Sequence, residues 1–147
     1  MGRSRRKNAP DLPPHPDDDP DWSVDERRIA NYLREPTIGY EVAGGGVNEH
    51  NERRYDFTLD QRERADGKTP LSGASSATIT NRARESIARG GQARVLVFDL
   101  READTPCAEA KRGCARITGM YGQSGVHGHL LDRIVVIGRG YYLEEVL

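Results

Sequence analysis

The run Ala93-Arg94-Val95-Leu96-Val97-Phe98-Asp99-Leu100 constrains the fold of this chain more than any other segment. Its apolar residues are continuous rather than alternating, the pattern of a strand covered on both faces, so it calls for a sheet with a layer on each side. Only 35% of the 147 residues are hydrophobic and the mean hydropathy is −0.76, which leaves material for one modest core. The run is read as the central strand of a single polar domain.

The neighbouring segments build outward from it. Ile79, Ala83 and Ile87 recur at i, i+4 and i+8 on a helix that follows the 72–78 loop and stops at Gly90-Gly91. Thr105 as N-cap and Pro106 at the first helical position start another helix, ending near Thr118. A Gly-rich loop from Gly119 to Gly128 leads to the strand Arg133–Ile137, and Tyr141-Tyr142-Leu143 make a last edge strand. Upstream, Ser23-Val24-Asp25-Glu26 is a capping box opening a helix to about Arg34, with Ile29, Ala30 and Leu33 inward and Pro36 as its stop. A first short strand is read at Gly39-Tyr40-Glu41-Val42, before Gly44-Gly45-Gly46 and the polar Asn48–Asn51. Tyr55–Leu59 and Arg64–Thr69 form a hairpin around Asp60-Gln61. The fold class is therefore α/β, a mixed central sheet flanked by helices in the order αβββαβ, then αβ(β).

Residues 1–21 carry a basic cluster (Arg3, Arg5, Arg6, Lys7), five Pro and five Asp, with almost nothing apolar. Such a stretch cannot offset its ordering entropy, so it reads as a linker or disordered arm ahead of a domain at residues 22–147. No run approaches the roughly 18 apolar residues of a membrane span, and no apolar segment follows the basic start as in a secretory signal. Export would have to use another signal or a carrier polypeptide.

The chemistry-bearing motif is Asp56 followed ten residues later by Asp66-Gly67-Lys68. Pairing the two segments in a hairpin sets them side by side, and residues i and i+2 of a strand share a face, so Asp66 and Lys68 point the same way. Two carboxylates can hold a hard divalent cation, and an ammonium beside them can activate water or offset charge on a phosphoryl group. That is equipment for phosphodiester cleavage. Glu26 has two readings, capping partner or helix carboxylate reaching the metal.

On these residues the chain resembles the PD-(D/E)xK, restriction-endonuclease-like nucleases. Lys68-Thr69-Pro70, the helix pattern around Asn81-Arg82-Ala83-Arg84, and Gly90–Asp99 further resemble the C-terminal nuclease domains of contact-dependent growth inhibition and related polymorphic toxins, over roughly Val24 to Val146. The chain departs from them in having Asp66 where Glu is common and Gly67 between acid and lysine. The resemblance implies a metal-dependent nuclease acting on tRNA, other RNA or DNA. Asp56, Asp66 and Glu26 would hold Mg²⁺, with Mn²⁺ or Zn²⁺ as alternatives. Lys68 would be catalytic, Gln92 would bond substrate or water, and Arg54, Thr69, Arg82 and Arg84 would contact substrate. It also implies delivery as part of a larger polypeptide, action in the target-cell cytoplasm, and a cognate immunity protein as partner.

Charge distribution suits a polyanion: between Arg53 and Arg94, nine Arg and Lys face five acids although the whole chain is −1. A solvated Arg-rich surface accounts for it equally, so a non-catalytic nucleic-acid- or protein-binding module stays open. An NAD-using ADP-ribosyltransferase, for which Glu144-Glu145 beside Tyr141-Tyr142 could be cited, fits the element order poorly. Cys107 and Cys114 match no common zinc spacing and read as small core residues. His127 and His129 sit in the Gly-rich loop and are read as surface residues ahead of metal ligands.

Overall fold

A computed structural model of the protein describes residues 13–46, 50, 55–90 and 92–147. Its elements run α1 (Val24–Leu33), β1 (Val42–Gly44), β2 (Phe57–Leu59), β3 (Glu63–Lys68), α2 (Ser76–Ala88), β4 (Val95–Asp99), α3 (Cys107–Tyr121), β5 (Arg133–Ile137) and β6 (Tyr142–Val146). The six strands form one mixed sheet in chain order, parallel across β3, β4 and β5 and antiparallel elsewhere. The α/β class with a helix-flanked mixed sheet is the one expected.

Alternation along the buried strands divides the core in two. Val95 and Val97 of β4 pack with Ile29, Ala30 and Leu33 of α1 and with Phe57, Leu59 and Ala65. Leu96 and Phe98 point the other way, onto Ile79 and Ala83 of α2 and Ala110, Cys114 and Ile117 of α3. All five residues of β4 are buried, as the central strand of a covered sheet must be. Each large side chain so buried contributes roughly 1.5–3 kcal/mol relative to exposure. Both parallel crossovers therefore lie on one face, and α1, with Trp22 before it, covers the other.

Local chemistry sets the element ends. Ser23 and Glu26 complete the capping box of α1. Gly39, with φ +84°, and Tyr40 bond back to Glu35 O and Leu33 O, so the chain is still leaving the helix where a first strand was expected at Gly39–Val42; pairing begins at Val42. Gly90, with φ +75°, follows the end of α2, while Gly91 lies outside the described residues. Thr105 does not cap α3. Its Oγ1 donates to Ala74 O, Pro106 takes the N-cap position, and the helix runs past Thr118 through Gly119 to Tyr121.

The arm expected over residues 1–21 is tied down at its end. Asp18 accepts from Arg34 Nη1 at 2.7 Å, and Arg34 Nη2 also donates to Val42 O while its guanidinium lies over the Trp22 ring. Burial opposes the charge on Asp18, but the Arg34 hydrogen bond, the His15 N–H bond and the charges of Arg34 and Arg27 together outweigh it and hold the carboxyl below its ordinary range. Arg34 thus joins this stretch to α1 and β1. Residues 1–12, 47–49 and 51–54, the other part of the arm and all of the polar Asn48–Asn51 segment but His50, lie outside the description.

Cys107 and Cys114 are both free, and burial pushes the Cys114 thiol up to about 12, as befits a core residue. His127 packs its ring on Tyr121, and His129 Nε2 stands 3.3 Å from Asp132 Oδ1. Among the described residues no helix is long and apolar enough to cross a membrane.

Candidate functional site

The β2–β3 hairpin turns through Asp60 and Gln61, both at positive φ, a geometry that matches the twist of paired strands. Its register sets Phe57 opposite Ala65, which leaves Asp56 facing Asp66 where the ladder ends. From there the two carboxylates take over the backbone donors. Asp56 N–H donates to Asp66 Oδ1 at 3.1 Å as well as to Ala65 O, and Gly67 N–H donates to Asp56 Oδ2 at 2.9 Å. The pairing expected of Asp56 and Asp66 is therefore direct and reciprocal.

Side-chain direction follows from the pleat. Ala65 and Gly67 face α1, and Asp66 and Lys68 face α2. A Cβ on Gly67 would stand 2.8 Å from Ile29 Cδ1 and 2.9 Å from Phe57 Cε2, which explains the glycine between acid and lysine. On the opposite face Ser86 of α2 donates to Asp66 Oδ2 at 3.3 Å. Lys68 is half-buried, next along that face, and has no ion pair among the described residues.

Glu26 is the capping partner of α1 and also reaches Asp56. Its Oε1 accepts from Ser23 N–H at 2.8 Å in the capping box, and its carboxyl is hydrogen-bonded to that of Asp56. Burial is the largest influence on Asp56. The Gly67 N–H bond opposes it, but the Glu26 contact and the charge of Asp66 add to it, and the carboxyl is pushed from 3.8 up to about 7. Such a group is held close to neutrality between two other acids.

The residues expected to contact substrate separate. Arg82 is exposed on α2 one turn before Ser86, on the flank that faces Asp66. Arg84 is two residues from Ser86, so it lies across the helix and lines a groove against α3 instead. Thr69 is half-buried directly after Lys68. Gln92 is exposed at the turn end of the sheet, two residues before Arg94, whose N–H bonds Arg64 O, and is not brought beside Asp66. Arg54 lies outside the described residues. Glu144, cited for the transferase alternative, accepts from the hydroxyls of Tyr40 and Tyr142.

Two participants escaped the sequence reading. Ser86 is 6% exposed on the inner face of α2, and a small hydroxyl between Ala83 and Ile87 was the available signal. Trp22 donates Nε1–H to Asp56 O at 2.9 Å and packs its ring on Phe57, which fixes the backbone of the first acid.

Among the described residues no three His, Cys, Asp or Glu side chains are set around one point as ligands. The donor set nevertheless fits a hard cation: carboxylate oxygens with no thiolate or imidazole, two of them in contact, and Asp56 penalised for ionising alone. It suits Mg²⁺ or Mn²⁺ better than Zn²⁺.

No protein-family model matches the sequence, and no curated protein does. Among solved structures the chain is similar to the CdiA-CT/CdiI toxin and immunity complex from Burkholderia pseudomallei, with a TM-score of 0.60, 20% identity, and coverage of 83% of this chain and 82% of that one. The likeness extends over most of the domain and establishes the shared fold.

Proposed function

We propose that this chain is a metal-dependent nuclease toxin that hydrolyses phosphodiester bonds of tRNA, other RNA or DNA in competing bacteria. The observation that carries the reading is the placing of Asp56, at the end of the β2 ladder, against both Glu26 and Asp66, with Lys68 on the strand face shared by Asp66. Similarity in fold to a chain of the CdiA-CT/CdiI toxin and immunity complex supports it, as does the resemblance of Asp56 and Asp66-Gly67-Lys68 to the PD-(D/E)xK pattern.

Asp56 and Asp66 would hold the divalent ion, with Glu26 reaching it from α1. Bound there, the ion supplies Lewis acidity toward a phosphoryl oxygen and lowers the cost of deprotonating water. Ser86 and the Asp56 N–H orient Asp66, while Gly67 N–H orients Asp56, so neither carboxylate searches for its position. Lys68 positions water and offsets negative charge building on the phosphate. Arg82 stands on the approach from α2. A cognate immunity protein, acidic to match this surface, would protect the producing cell.

The deciding experiment incubates the full chain with total tRNA and with plasmid DNA, with Mg²⁺ or with EDTA. Cleavage of one substrate that EDTA abolishes and Asp66→Ala removes is the expected result. Binding without cleavage in every metal tried would favour the non-catalytic module.

A further inference from the structure

On the flank of α2 away from Asp66 lies a cavity of about 430 Å³ between α2 and α3, lined by Ala77, Asn81, Arg84, Arg116, Gly119 and Met120 beside the buried Thr80. The volume falls in the range of small-ligand sites. Ala77 and Gly119 are small, and a Cβ on Gly119 would meet nothing within 4 Å, so the groove is open at that point. Met120 supplies a polarisable apolar wall. The Asn81 amide, which accepts weakly from Arg84 Nη1 at 3.4 Å, offers donor and acceptor for an edge of a planar ring.

Several arginines are held in ion pairs, as in Arg34–Asp18, Arg101–Asp99 and Arg133–Glu63. Arg82, Arg84, Arg89 and Arg116, like Arg62 and Arg64 near the hairpin turn, have no ion pair among the described residues, and all are exposed. Arg116 lies within electrostatic reach of Glu109, and exposed guanidinium groups held in no ion pair attract phosphates and stack on bases.

We propose that the α2–α3 groove is a nucleotide subsite, seating one unstacked base of a single strand over Ala77, Gly119 and Met120, with the adjoining phosphates on Arg84 and Arg116. An acidic protein surface would use the charge but would leave the cavity unfilled. A single strand fills both, and crossing α2 past Arg82 would carry it toward Asp66. The proposal rests on the nuclease reading for the class of ligand, but binding at the groove needs no cleavage.

The test measures anisotropy of a fluorescein-labelled single-stranded heptaribonucleotide on the full chain in EDTA, over a series of salt concentrations. Gly119→Leu fills the groove and leaves the charge alone; it should weaken binding about tenfold or more with the salt slope unchanged and the melting temperature equal or higher. Arg84→Ala with Arg116→Ala should also weaken binding, and should make the slope shallower by about 1.4, the value for two phosphates of a single strand. Wild-type affinity in Gly119→Leu, or displacement by poly-glutamate as effective as by RNA of equal charge, would overturn the subsite in favour of a plain basic or protein-docking surface. Cleavage is assayed separately in Mg²⁺: its absence while groove-dependent binding persists fails the nuclease reading alone, and its presence with an indifferent groove fails the subsite alone.

Discussion

Gly67 illustrates how one position can serve fold and site together. It gives Asp56 its N–H while its missing side chain leaves room for Ile29 and Phe57, both fully buried. Gly67→Ala should therefore lose about 1–3 kcal/mol by overpacking, read from denaturant midpoints. Lys68→Met tests chemistry instead. It should leave stability within about 0.5 kcal/mol and lower single-turnover cleavage by ~10²-fold or more, since a half-buried lysine without an ion pair contributes little to folding. Glu26→Gln separates the two bonds Glu26 makes: Gln preserves the capping box, so the melting temperature should hold while cleavage falls steeply. Equal cleavage by the variant would return Glu26 to a capping role alone.

At the level of elements, α2 and α3 approach closely because α3 has Gly113, where a Cβ would lie 2.9 Å from Ile79 Cγ2 and 3.0 Å from Ile79 Cβ. Alanine gains about 1 kcal/mol of helix propensity there but presses on an atom anchored to the backbone, at a cost of ~1–3 kcal/mol. A net loss of about 1 kcal/mol in chemical denaturation is expected for Gly113→Ala. Element identity was legible in the sequence where period or capping is local. The Val95–Phe98 run, the capping box at Ser23 and the strand containing Asp66 each needed no distant partner. Boundaries were harder, because Tyr40 bonding Leu33 O and Thr105 bonding Ala74 O are decided across a chain reversal that local pattern does not encode. The site was legible in the same partial way. Spacing brought Asp56 and Asp66 together, but the rotation that places Ser86 beside Asp66 and turns Arg84 away depends on which face of α2 packs.

For the whole molecule, the raised Asp56 couples folding to pH. Its folded-state value of about 7 exceeds the ordinary 3.8, so the folded domain holds a proton that the unfolded chain releases. Stability from this group is fully present below the lower value and is lost as pH rises toward the higher one. Without divalent ions, unfolding free energy should fall between about pH 4 and 7, and Asp56→Asn should flatten that slope; an unchanged profile in the variant would remove Asp56 as its origin. In cells, expression of the full chain should arrest bacterial growth and Asp66→Ala should relieve it, scored as colony counts. The contact between Trp22 and the Asp56 carbonyl carries a practical consequence. Trp22 is the single tryptophan of the chain and is nearly shielded from solvent, so the protein holds one indole chromophore with its N–H on the backbone of an acidic residue. Its emission is a built-in optical gauge of that residue, able to register proton release, or entry of the proposed cation, in unlabelled protein.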